Sequence, residues 1–297
     1  MTGISSNVVL GLIPIVFLGI IASSIILWLD KKKQNPLNIG QKISSLSKWE
    51  IPWIDVFLFL FSAYLFVLLS NSTIGLFIEK PEGDSISNLT PKIAILSICA
   101  LHIPLGINFF LFQNLFFKNR ALILNEKQTD ISLDIIKAGA CFIQLLPLIW
   151  ILSILWNILL GFLQELSLID QFPAQALVEL LTKDIGLYYF TLLAFCGIVI
   201  APIIEEILFR GCVYRFLKGK TTLLKAQLLS ATLFALLHAN LHSFLPLVFI
   251  GFILARIYES SGNIKQSILF HGFFNATSFT FIALYKFADI PIPIFFP

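Results

Sequence analysis

Residues 8–29 form an apolar run of 22 residues without a charged side chain, and further apolar runs recur along the whole chain. A helix needs about 20 apolar residues to cross a bilayer whose hydrocarbon core is about 30 Å thick. Further runs cover 53–70, 92–117, 136–163, 185 into the stretch around 205, 223–239, 244–258 and 264–285. They predict an all-α polytopic membrane protein with about eight transmembrane helices. Only 12% of the residues are charged, against about a quarter in soluble domains, and no polar stretch is long enough to be a soluble domain of its own.

Charge distribution supplies the orientation. Asp30 and the run Lys31-Lys32-Lys33 stop the first apolar stretch, which lacks a basic leader and a small-residue cleavage site, so no signal peptide is expected. If the segment after the first span is cytoplasmic, all but four of the 20 Lys and Arg fall on the cytoplasmic side. The four are Lys80, Lys92, Lys183 and Lys286, and both termini are then expected outside. Pro147 interrupts the fourth run, and residues 174–181 form a short amphipathic piece expected at the surface. No basic stripe interleaved with aromatics is present, so nucleic acid is not an expected partner. The four cysteines, Cys99, Cys141, Cys196 and Cys212, are widely spaced in apolar surroundings and read as core-filling residues.

Against this background, Glu205-Glu206 and Arg210 are costly. Ionised side chains at membrane depth cost about 2.5–3.5 kcal/mol each on insertion scales and mark functional sites. Glu206 and Arg210, four apart, share a helix face and suit an ion pair. Glu205 lies about 100° around the helix, away from that pair. Of the four histidines, His238 and His271 follow within the last third. Phe234 with His238 and His271 with Asn275 repeat the spacing of four, so polar residues cluster on faces of three helices. His102 and His242 read as structural or interfacial. One difficulty follows: a fifth span ending near Glu205 and a sixth ending near His238 would set the two a membrane apart, unless the glutamate helix re-enters or continues toward residue 217.

Glu205-Glu206-x-x-x-Arg210 with Phe209 and Gly211, then Phe234-x-x-x-His238, then His271-x-x-x-Asn275, resemble in order the motifs of the CAAX prenyl protease type II family. This is the group of intramembrane proteases and bacteriocin-processing enzymes called CPBP, which also takes in abortive-infection proteins. Gly251 and Ser261-Gly262-Asn263-Ile264 sit where family members have a glycine-containing helix and turn. The resemblance implies an intramembrane endopeptidase that hydrolyses a peptide bond of a membrane-associated protein or peptide. By similarity Glu205 activates a water, His238 holds or polarises it, and His271 with Asn275 stabilises the oxyanion, while Glu206 and Arg210 support the helix. The family is often filed with metalloproteases, and Glu205, His238 and His271 would be the ligands of a Zn²⁺ ion. No HExxH sequence is present, and family members are also read as metal-free, glutamate-dependent enzymes; the spacing leaves both readings open, with metal-free chemistry slightly preferred. A carboxylate shielded from bulk water takes up a proton more readily than an exposed one, which suits a general base.

The resemblance divides the chain into N-terminal helices with a surface segment (1–184), a catalytic core (185–285) and an irregular tail (286–297). A non-catalytic membrane scaffold or bacteriocin-immunity-type protein of the same fold is the competing expectation. A transporter is not favoured, since inverted repeats and paired broken helices are lacking.

Overall fold

A computed structural model describes residues 51–76, 89–117, 130–170 and 176–288, with isolated positions before residue 51. Most of the first expected span (8–29), the acidic loop near residue 82 and the tail after 288 lie outside the described residues. The described residues form eight helices: α1 Trp53–Gly75, α2 Pro91–Phe117, α3 Ile131–Glu165, α4 Ala176–Thr182, α5 Gly186–Lys220, α6 Leu223–Leu237, α7 Leu241–Ser261 and α8 Ile264–Ala288. Within α5 the backbone passes through π-helical turns at Cys196–Ile200 and Ile207–Tyr214. Helices satisfy every interior backbone group within the segment, which lipid demands. Six of the eight are long and apolar enough to cross a membrane, and the chain is an integral multi-pass membrane protein.

The expected sixth span is corrected. Helix α6 has 15 residues, about 22 Å, too short to cross a hydrocarbon core of about 30 Å. His238 caps it, and Ala239 follows with a left-handed φ of 48°, which ends the helix. Helix α5 runs on past the glutamates to Lys220, about 52 Å in all. Glu205 and His238 are each fifteen residues from the turn that joins α5 to α6, so the two helices return to the same depth. This removes the expected separation of a whole membrane.

Helix α7 is the central element. More than half of its most apolar stretch (56%) is buried against other helices, compared with 17% for α1, whose sides are left for lipid. Ile250, Leu254, Ala255 and Tyr258 are fully enclosed. A Cβ on Gly251 would stand 3.0 Å from the Cα of Ala231, so glycine there lets α6 and α7 touch backbone to backbone.

Buried polar contacts fasten the helix ends. Lys218 Nζ donates to both oxygens of Glu259 at 2.7 and 2.9 Å and to the Leu46 carbonyl at 2.6 Å, and the Tyr214 hydroxyl donates to Glu259 at 2.6 Å. These bonds join the segment before α1 to the ends of α5 and α7. Asp134, at the start of α3, accepts from Asn263 in the α7–α8 turn at 2.9 Å and from Gln266 in the first turn of α8 at 2.8 Å. At the opposite end of the bundle, Lys286 Nζ in the last turn of α8 donates to the carbonyl of Lys183, in the connection from α4 to α5, at 2.5 Å. All four cysteines are free thiols, Cys141 and Cys212 buried.

Candidate active site

The site begins with a proline. Pro202 has no N–H, so α5 cannot hold a regular α-helical ladder past it. The Ala201 N–H shifts to the Cys196 carbonyl, one residue further back than an α-helix would take it, giving the first π-helical turn. The Gly197 carbonyl then lacks a helical donor in either register: Ala201 is engaged elsewhere and residue 202 is proline. Asn275 on α8 supplies one, its Nδ2 donating to Gly197 O at 2.7 Å. The helix break and Asn275 are thus one device, which couples α5 to α8 about two turns before Glu205.

Glu206 and Arg210 form the expected pair, with Nη1 2.9 Å from Oε1 and both side chains fully buried. Each also reaches further than the spacing indicates. Arg210 Nη2 donates to the Gly251 carbonyl at 3.1 Å, and its guanidinium lies 4.6 Å from the Phe234 ring centroid. Glu206 Oε1 accepts from His271 Nδ1 at 3.0 Å. One buried charge pair therefore ties α5 to α6, α7 and α8. Phe234, wholly enclosed, packs edge-on against Phe209 at 5.2 Å and His271 at 5.6 Å, and against the His238 ring at 4.5 Å.

Glu205 faces a different way. It lines a partly open cavity of about 270 Å³ with His238, His271 and Asn275. Its side chain is 20% exposed, toward that cavity, and its Oε2 is buried without a hydrogen-bond partner. Oε2 stands 3.9 Å from Nε2 of His238 and 3.9 Å from Nε2 of His271, too far for direct hydrogen bonds. The ring orientations are held from behind. His238 Nδ1 lies 2.7 Å from the Phe234 carbonyl, which can only accept, so this nitrogen carries the proton. His271 is held the same way by Glu206. Both rings therefore turn Nε2 toward Glu205.

Two residues overlooked in the sequence belong to this cavity. His102 on α2, expected to be structural, places Nε2 3.4 Å from Glu205 Oε1. Glu205 thus has a partner upstream as well as those expected downstream. A lone histidine in an apolar helix, 103 positions away, carries no spacing signal that would link it to Glu205. Ser243, at the start of α7, lines the cavity with a buried hydroxyl that has no hydrogen-bond partner. His242 instead contacts Asn157 Oδ1 at 3.1 Å and does not line the cavity. The rest of the wall is apolar, with Leu177, Val178 and Leu181 contributed by the short helix α4.

The resemblance offers Glu205, His238 and His271 to a metal ion. Two ligands on one tetrahedral zinc stand about 3.3 Å apart, closer than the 3.9 Å found here. Among the described residues no three His, Cys, Asp or Glu side chains are grouped to hold a metal. As placed, Glu205 stands further from the two histidines than ligands sharing one zinc ion would.

Residues 187–277 match the family model described as Type II CAAX prenyl endopeptidase Rce1-like. A Bacillus subtilis (strain 168) protein named "Putative membrane peptidase YdiL" is 34% identical over 73 residues, which is 25% of this chain. The aligned part spans 30% of that relative's length. No solved structure matches the chain. The stretch from the start of α5 to the middle of α8, which holds every motif residue of the cavity, is thus a match to the Rce1-like family of type II CAAX prenyl endopeptidases.

Proposed function

We propose that this protein is an intramembrane endopeptidase of the CAAX type, with residues 185–285 as its catalytic core and Glu205 as its general base. The observation that carries the reading is the unpartnered Oε2 of Glu205, equidistant at 3.9 Å from two histidine Nε2 atoms in a largely apolar cavity. A distance of that size between groups that each need a hydrogen bond suits a bridging water.

In this reading the water gives one hydrogen bond to Glu205 Oε2 and one to His238 Nε2, which leaves a lone pair for the substrate carbonyl. As the new C–O bond forms, Glu205 takes the proton and the carbonyl oxygen becomes an oxyanion. Two donors are available for it. Asn275 keeps a second N–H beyond the one given to Gly197. His271, whose Nδ1 is held by the Glu206 carboxylate, donates from Nε2 when it is an imidazolium. Collapse of the intermediate breaks the C–N bond, and the amine leaves with the proton that Glu205 holds. Hydrogen-bond donors aimed at developing charge in a site shielded from water contribute much of such a rate.

The substrate is a peptide or protein held at the membrane, since the cavity lies about 22 Å of helix from the nearer end of α5. Lipids are the other constant partner, covering the exposed apolar faces of helices such as α1. Replacing His271 or Asn275 by Ala is expected to lower kcat about 10²–10³-fold, as loss of an oxyanion donor does, with KM little changed. Steady-state cleavage of membrane-associated peptides by the reconstituted protein measures this. A change confined to KM would remove the oxyanion role.

A further inference from the structure

Helices α1–α4 lie outside the family match, yet α2 sends one titratable side chain, His102, into the cavity wall. The residue is 6% exposed. Its Nδ1 is 2.9 Å from the Ile98 carbonyl one turn back, and because a carbonyl only accepts, Nδ1 bears a hydrogen. Nε2 is left as the working nitrogen, 3.4 Å from Glu205 Oε1. The other carboxyl oxygen, Oε2, is the one that faces His238 and His271. The helices are brought together beside this contact: a Cβ on Gly106, one turn from His102, would stand 3.1 Å from Ile204 Cδ1.

We propose that His102 is a positioning residue that holds Glu205 Oε1 through one shared proton, so that Oε2 is the oxygen presented to the water. The proposal rests on Glu205 being the base. Without a partner at Oε1, the carboxyl group turns freely about its terminal torsion, which is broad, and either oxygen or neither faces the two imidazoles. The active site of this chain then includes a helix beyond the matched segment. A misplacement of about 1 Å costs up to about 100-fold in rate, which sets the scale of the effect.

The test uses full-length protein in liposomes, with kcat and KM measured on a peptide that the wild type cleaves and with unfolding followed in parallel. His102→Leu and His102→Phe are two apolar replacements, so that one that fails to fold leaves the other to be read. His102→Gln keeps an amide donor within reach of Oε1. The expected result is a kcat lowered about 10- to 100-fold in the apolar variants, with KM within about twofold of wild type. The unfolding midpoint stays near wild type, and His102→Gln recovers part of the rate. Wild-type kcat in a folded apolar variant would overturn the proposal, as would a glutamine variant no faster than the apolar ones. Glu205→Gln serves as the control. If it turns over, the reading of Glu205 as base falls; if it is inactive while the His102 variants match wild type, only the positioning role falls.

Discussion

At the scale of single residues, adjacent glutamates of the same chemistry have been divided by geometry. Glu206 is fully buried and its Oε1 answers to Arg210 and His271, whereas Glu205 lines the cavity and turns Oε2 toward the Nε2 atoms of His238 and His271. Removing one partner of a buried ion pair leaves an uncompensated charge, which costs about 3–5 kcal/mol. Arg210→Ala is therefore expected to destabilise the protein by about that amount, read as a large fall in the thermal unfolding midpoint in detergent. Arg210→Lys, which keeps the charge but not the fork that reaches both Glu206 and Gly251 O, should fall between alanine and wild type. An alanine variant as stable as wild type would show that the pair does not hold the helices. The spacing of four in the sequence revealed this pair because both partners lie on one helix. It could not reveal His102, whose link to Glu205 exists only once α2 packs on α5.

At the scale of elements, the decisive object is α5, a 35-residue helix that changes register around its proline. The apolar run and the charges were legible in the sequence, but the helix was expected to end near Glu205, because charged residues resemble the end of a span. They are interior here because partners on four other helices, α2, α6, α7 and α8, face them. Helix α6 ends where its apolar run does, at His238 and Ala239, but its 15 residues are fewer than a span needs. Pro202 was a visible signal of the register change. Pro202→Ala is expected to restore a donor N–H, let α5 approach a continuous α-helix and release Asn275 from Gly197. The variant should be at least as stable as wild type but less active, since Glu205 lies three residues on and would rotate with the helix. Parallel measurement of unfolding midpoint and kcat checks this; full activity with raised stability would separate the break from function.

At the scale of the whole molecule, the segments assigned to one side of the membrane by their charges gather at one end of the bundle. The segment around Leu46, the starts of α1 and α3, and the turns after α5 and α7 meet through Lys218–Glu259 and Asp134–Asn263–Gln266. Lys183 and Lys286, two of the four basic residues assigned to the other side, meet at the opposite end. Single cysteines placed at Thr221, Ser261 and Asp130, in a background where the four native cysteines are replaced, are expected to label from the cytoplasmic side with an impermeant reagent. One at Asp184 is expected to label from the other side. Labelling of position 184 together with 221 would contradict this orientation.

The bundle places Glu205 fifteen residues from the end of α5, ringed by His102, His238 and His271, and the proposed chemistry rests on that carboxylate. The direct measurement is cleavage of membrane-associated peptides by the full-length protein in liposomes, wild type against Glu205→Gln, with products identified by mass spectrometry. Glutamine matches glutamate in shape but cannot take the proton from water at this site. The expected result is a folded, inserted variant with no detectable cleavage beside an active wild type. Cleavage by the Glu205→Gln protein at the wild-type rate would contradict it.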